Sequence, residues 1–202
     1  MARYTGPKHR LARREAVNIF EKHSSSLERR LNVPPGQLGS KRARQKPSDY
    51  SHQLRAKQKA KRTYGLLEKQ FRRYYEKAAQ KKGKTGETLV EFLESRLDNV
   101  VYRLGFAKSR NQSRQFTTHN HVLVNGVKVN IPSYQVKIND IISFDKNITE
   151  NPDVKKLLED NFYKPPLWLE RKAAVGKVLR LPAQEDIETN LDLQLITEFY
   201  SR

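Results

Sequence analysis

Arg110 and Arg114 stand four residues apart behind Ser109, so a helix starting at Ser109 would set both guanidinium groups on one face. A planar guanidinium offers a fork of donors to a phosphate or a base edge, which the point charge of an ammonium does not. The free amides and positive dipole end of such a helix start favour the same anion. Arg96 and Arg103, seven residues apart, fall on one side of a preceding helix two turns long and would form a second row toward the same anion, with a solvated face as the rival reading. No nucleophile, general base and orienting acid stand together in a recognisable set. Asp98 could be offered as a catalytic acid, but between Arg96 and Arg103 it reads better as a partner in a helix salt bridge. The chemistry open to this chain is recognition of a polyanion.

The charge distribution supports that reading. Residues 1–82 hold 23 Lys and Arg against 6 Asp and Glu, whereas residues 83–202 hold 17 against 16, so nearly all of the net charge of +18 lies in the first part. Each Lys or Arg that neutralises a phosphate releases condensed counterions, which makes a nucleic acid the natural partner. An anionic membrane is the other candidate polyanion, but no apolar run approaches the roughly 20 residues a spanning helix needs. The start, Met1-Ala-Arg-Tyr-Thr-Gly-Pro-Lys8, lacks the apolar region of a secretory signal. Without cysteine there is neither a disulfide framework nor thiol chemistry. The expected setting is cytoplasmic.

The elements that must position the arginines can be read between residues 89 and 144. Leu89, Phe92, Leu93, Leu97, Val100, Val101 and Leu104 recur at three- and four-residue steps and predict one apolar helical face, stopped by Gly105. Ser109 caps the next helix, with Gln112 reaching back to complete a capping box. Val122-Leu-Val124 and Val127-Lys-Val129 around Asn125-Gly126 predict a hairpin with a type I′ turn. Two further short strands are expected at 134–138 and 141–144. His119 and His121 share one side if extended; a metal site, RNA contact by His119 and ordinary hydrogen bonding are the alternatives.

Upstream, residues 1–45 carry Arg10, Arg13, Arg14, Lys41, Arg42 and Arg44 among Pro and Gly. They predict an extended basic arm with a short helix near Leu11 to Phe20, or a solvated tail. Ser48 caps a helical stretch reaching about Gln80, interrupted at Gly65. Its first half, with Arg55, Lys57, Lys59, Lys61 and Arg62, suits phosphates. In its second half Leu67, Phe71, Tyr74 or Tyr75 and Ala78 form a packing face that leaves Lys69, Arg72, Arg73 and Lys77 largely outside. Phe71 and Tyr74 read as core, while Tyr64 or Tyr75 could reach a base. Downstream, Pro165-Pro166 with Trp168 marks a strand or turn under the module, and Gly176 sits in a second extended pair. Ile187, Leu191, Leu195 and Phe199 predict an acidic final helix, packed on the basic helices or on a neighbouring protein.

The phrases Arg96-Leu-Asp98, Arg103-Leu-Gly105, Ser109-Arg110, Arg114-Gln115, His119-x-His121 and Val124-Asn-Gly126 resemble the RNA-binding domain named after the fourth protein of the small ribosomal subunit. Ala2-Arg-Tyr4, Pro47-Ser-Asp-Tyr50, Gln53-Leu-Arg55, Lys57-Gln-Lys59, Tyr64 to Arg72, Pro166-Leu-Trp-Leu169 and Leu195 to Ser201 extend the resemblance to that bacterial ribosomal protein family over essentially the whole chain. It implies an α+β protein: a basic arm (1–45), an α-helical rRNA-binding domain (46–90) packed with the C-terminal helix (185–202), and the RNA-binding module (91–184), two helices followed by a small, mostly antiparallel sheet.

The resemblance adds Arg3, Tyr4, Ser48, Tyr50, Gln53, Ser109, Gln115 and Asn125 to the RNA contacts. It implies a structural, non-enzymatic constituent of the small subunit that binds its rRNA first, nucleates assembly of the body and influences decoding accuracy. Partners would include neighbouring ribosomal proteins, especially the fifth of the small subunit, and messenger RNA where it enters. No cofactor or metal is expected: members that hold zinc use four cysteines, of which this chain has none. Leu38 replaces a histidine common in the family. An RNA-modifying enzyme with the same module would need more than the 58 residues after Phe144 for a catalytic domain, and a chaperone or stalled-ribosome factor would need neither the arm nor the Tyr64 to Arg72 phrase.

Overall fold

A computed structural model describes residues 4–20, 24–36, 46–159, 163–186 and 191–201; Arg3, Lys41, Arg42 and Arg44 lie outside these residues. The fold is α+β and divides into two compact units, Met1–Gly86 with Thr189–Arg202, and Glu87–Glu188.

In the first unit, two short helices, α1 (Lys8–Glu15) and α2 (Ser25–Arg30), lie within the expected basic arm, of which residues 37–45 are outside the described residues. α1 ends at Ala16 in the left-handed region, short of Phe20. α3 (Asp49–Thr63) begins where the Ser48 hydroxyl accepts the Ser51 amide at 3.4 Å. A turn at Gly65 separates it from α4 (Glu68–Gln80). α4 buries Phe71, Tyr74 and Ala78, the three-to-four spacing of an amphipathic helix. α3 is unusual in burying Gln53, Lys57, Ala60 and Thr63 instead. The final helix (Leu193–Tyr200) packs on α3, buries Leu193 and Ile196 and begins later than the four-residue apolar steps suggest.

The second unit holds α5 (Thr85–Glu94), α6 (Leu97–Arg103), α7 (Arg110–Thr118), β1 (Val122–Val124), β2 (Val127–Lys128), β3 (Ile141–Phe144), α8 (Lys146–Thr149), α9 (Pro152–Glu159), β4 (Leu169–Lys172) and β5 (Val175–Val178). α10 is the final helix described above. The strands form one antiparallel sheet ordered β2-β1-β3-β5-β4. Leu97, Val100, Val101 and Leu104 of α6 meet Val122, Ile142, Phe144, Trp168 and Val178 in its core. Asn125 and Gly126 both take positive φ, as a type I′ turn requires.

Two expectations fail together. The apolar face from Leu89 to Leu104 belongs to two helices, broken at Ser95-Arg96, because the four-residue step from Leu93 to Leu97 carries the periodicity across the break. The segment 134–138 forms no strand: the break leaves amides that turn to it, Leu97 N–H donating to Tyr134 O at 2.8 Å and Asp98 N–H to Pro132 O at 3.2 Å, while Val136 N–H donates to Ser95 O at 2.9 Å. The chain there pairs with the helix break instead of the sheet.

Gly105 ends α6 with φ +72°, and a Cβ there would fall 2.5 Å from the Tyr163 ring and 2.7 Å from the Arg171 guanidinium. That close approach serves Arg171, which donates to Leu104 O at 3.0 Å, Leu157 O at 2.6 Å and Leu158 O at 3.1 Å. One side chain thus satisfies late carbonyls of α6 and α9 that their own helices cannot.

Candidate nucleic-acid interface

The structure separates the basic side chains into those turned inward against carboxylates and those left on the surface. In the first unit, Glu15 of α1 has a buried side chain, 1% exposed, paired with Arg55 at 3.0 Å and with Arg62. Burial pushes its carboxyl above the usual range against the pull of Arg55, Arg62 and Arg14, and burial likewise lowers the Arg62 guanidinium. Arg13 donates to Val33 O at 2.9 Å and Pro34 O at 3.3 Å, tying α1 to the segment after α2.

Lys57 departs furthest from its expected role. Its ammonium is buried, donates to Glu68 at 2.9 Å and lies 4.5 Å from the Phe199 ring centroid. Lys61 and the Tyr200 hydroxyl converge on the same carboxylate at 2.9 and 2.7 Å. Gln53 is also buried and donates to Glu198 at 3.0 Å. Both the Lys57 and the Gln53 side chains are turned into the packing and not out to solvent. Tyr64 is buried, and Tyr75 stacks on Tyr200 with ring centroids 4.7 Å apart, so both belong to the packing.

Burial pushes the Glu68 carboxyl up, but hydrogen bonds from Tyr200, Lys61 and Lys57 outweigh it and hold the pKa at about 2. A carboxylate depressed in the folded state adds stability above its unfolded value of 4.5, and this is lost as pH falls toward 2. With the side chain 45% exposed, the loss discounted for solvent screening is on the order of 1 kcal/mol. Glu15, shifted the opposite way, contributes with opposite sign. The difference between wild-type and Glu68→Gln stability profiles from pH 6 to 2 isolates Glu68: the gap should be widest near pH 6 and close by pH 2, and a pH-independent gap would rule the linkage out.

The outward set differs in kind. Arg10 and Arg14 on α1, Lys69, Arg72, Arg73 and Lys77 on α4, and Lys46 are exposed. Lys69, Arg73 and Lys77 repeat at four-residue steps and form one stripe along α4, and among the described residues no ion pair holds them; Arg72 pairs with Glu76 at 3.0 Å. Lys77 belongs with this stripe, on the outer face expected for it together with Lys69, Arg72 and Arg73. Tyr4 and Tyr50 are exposed, the first donating to Pro7 O at 3.4 Å, the second lying 5.8 Å from the Phe199 ring. Lys59 is half-buried.

In the second unit, Arg96 and Arg103 are each 1% exposed, which removes the expected outward row. Arg96 forks onto Asp98 at 3.0 and 2.7 Å, and Arg103 forks onto Glu94 at 3.1 and 3.2 Å. An arginine on a short helix wedged between a sheet and α7 cannot reach solvent, so its charge is met inside. Glu94 is the residue sequence reasoning passed over; its spacing of nine from Arg103 is not a helical pairing and gives no local signal.

α7 remains as the presenting element. Ser109 accepts the Gln112 amide at 3.3 Å, and Gln112 accepts the Lys108 amide at 2.8 Å, one residue before the expected one. Asn111, Gln115, Thr118 and His119 are exposed along it. Arg114 donates to Asp98 at 2.9 Å, and Arg110 donates to Asn99 at 3.0 Å with its guanidinium carbon 4.4 Å from the Tyr102 ring centroid. Asn125 does not offer its amide outward: it donates to Asp140 and accepts from the Ile141 N–H, both at 2.9 Å. His119 and His121 lie 6.1 Å apart between ring centroids, and among the described residues no three His, Asp or Glu side chains gather as a metal site would need.

Comparison with known proteins agrees in two parts. Residues 3–94 match the family model for the ribosomal protein S4/S9 N-terminal domain, and residues 95–142 match the S4 domain. Over 100% of both chains, the sequence is 49% identical to small ribosomal subunit protein uS4A of Symbiobacterium thermophilum and 48% identical to small ribosomal subunit protein uS4 of Heliobacterium modesticaldum and of Chloroflexus aurantiacus.

Proposed function

Because the chain belongs to the uS4 family of small-subunit ribosomal proteins, we propose that it is a primary binding protein of small-subunit rRNA that helps nucleate assembly of the subunit body. It is a structural constituent of the cytoplasmic small ribosomal subunit and not an enzyme. The observation that best supports the finer reading is the α4 stripe of Lys69, Arg73 and Lys77, exposed side by side while the inward cations of the same unit are matched by Glu15 and Glu68. Cations left without carboxylates at the surface of so basic a unit suit phosphates, and the polar face of α7 suits a second attachment.

RNA binding is then divided between the helical part, residues 1–90, and the module, residues 91–184. With two linked attachments, the second forms at high effective concentration, so modest individual contacts give tight overall binding. Lysines supply mainly salt-sensitive affinity and the α7 arginines supply geometric discrimination. The same reading extends to contact with the fifth small-subunit protein, to messenger RNA where it enters, and to decoding accuracy.

Titration against the 5′ domain of small-subunit rRNA and against an unrelated structured RNA, at two salt concentrations, tests the proposal. A preference for the ribosomal RNA that persists at the higher salt is expected. Equal binding that collapses with salt would leave only charge-driven association and overturn it.

A further inference from the structure

We infer that Tyr102 and Asn99 are positioning residues that fix the Arg110 guanidinium before RNA arrives. The inference rests on reading α7 as an RNA-contacting helix. Arg110 is the first residue of α7, where the helix start already favours an anion. Its Nε donates to Asn99 Oδ1 at 3.0 Å, which fixes the plane of the group from one edge, and the Tyr102 ring 4.4 Å from the guanidinium carbon limits it from one face. A flexible arginine held at an edge and a face has lost most of its rotamer freedom in advance.

The hold is itself anchored. Asn99 is 2% exposed, and its amide nitrogen donates to Glu94 O at 3.0 Å and Glu94 Oε2 at 2.7 Å. Glu94 in turn takes the fork of Arg103. The orientation of one half-buried arginine on α7 is therefore set from the buried polar interior of α5 and α6. Arg114 is placed by the same logic, through Asp98, which Arg96 also holds. Two buried pairs that cannot touch RNA thus aim the two arginines of the presenting helix.

Ordering a rotamer-rich side chain at an interface normally lowers affinity, so releasing Arg110 should weaken binding to the 5′-domain RNA by roughly 3- to 10-fold. The test compares wild type, Tyr102→Leu, Tyr102→Phe, Arg110→Ala and the Tyr102→Leu/Arg110→Ala pair by RNA titration, with thermal melts on each. Tyr102→Phe keeps the ring and should bind within about 2-fold of wild type, whereas Tyr102→Leu should show the full loss. In the Arg110→Ala background Tyr102→Leu should cost less than about 2-fold, because the group it acts through is gone.

Equal losses from Tyr102→Leu in both backgrounds, or equal losses from Tyr102→Phe and Tyr102→Leu, would overturn the inference. Arg110→Lys keeps the charge but not the planar group and provides a check independent of the Tyr102 fold. Its loss should match that of Tyr102→Leu, and wild-type binding by Arg110→Lys would overturn the inference as well. A wild-type protein without preference for the ribosomal RNA would instead overturn the reading of α7 itself, and this inference with it.

Discussion

Glu94→Gln is expected to destabilise the second unit by about 3–5 kcal/mol in urea unfolding, the loss that follows when one member of a buried ion pair is removed and the other is left charged. The substitution changes almost no volume, so the effect isolates charge. Glu94 is fully buried and accepts Arg103 at 3.1 and 3.2 Å and Asn99 at 2.7 Å. With folded proteins stable by only about 5–15 kcal/mol, such a change brings the module close to unfolding. Replacing both partners, as Glu94→Met with Arg103→Met, should recover part of the loss, because an apolar pair leaves no unmatched guanidinium. A Glu94→Gln protein within about 1 kcal/mol of wild type would mean that water reaches Arg103.

The second large effect concerns binding. Lys69→Gln, Arg73→Gln and Lys77→Gln together should weaken rRNA binding roughly 100-fold, on about 1 kcal/mol for each charge-assisted phosphate contact. The slope of log K against log salt should become shallower by about 3 units. Because the three side chains are exposed at four-residue steps, the melting temperature should stay unchanged. Lys57→Gln is the informative control. Its buried ammonium serves Glu68 and the rings of Phe199 and Tyr200, so the first unit should lose stability while the salt slope holds. An unchanged slope in the triple variant would remove α4 from the interface.

What could be read in advance was what is decided by neighbours in the chain. Ser48 and Ser109 cap their helices, Gly105 stops α6 and Asn125-Gly126 turns the hairpin, because each depends on a few adjacent residues. Trp168 was expected under the module, and it is fully buried beside β4. The destination of the cations could not be read. Lys57 finds Glu68 across 11 residues, Arg55 finds Glu15 across 40 and Arg103 finds Glu94 across 9. A basic residue has the same type whether it meets a carboxylate or water, and only the fold decides which. The missed break at Ser95-Arg96 has the same origin: periodicity continued through it, while the partners that stabilise the break lie at 132–136.

The first unit is discontinuous in sequence, Met1–Gly86 being completed by Thr189–Arg202, and this bears on the order of events during synthesis. A nascent chain that has reached residue 188 contains every residue of the second unit, but not yet the final helix, which packs on α3 and buries Leu193 and Ile196, nor the Tyr200 hydroxyl that Glu68 accepts. Domains fold as units as they emerge, and distant pairings close slowly. The segment made first is therefore the one finished last. Until α10 emerges, the α3 face carrying Gln53 and Lys57 stays open, and the Lys57 ammonium lacks the Phe199 and Tyr200 rings that cover it in the finished fold.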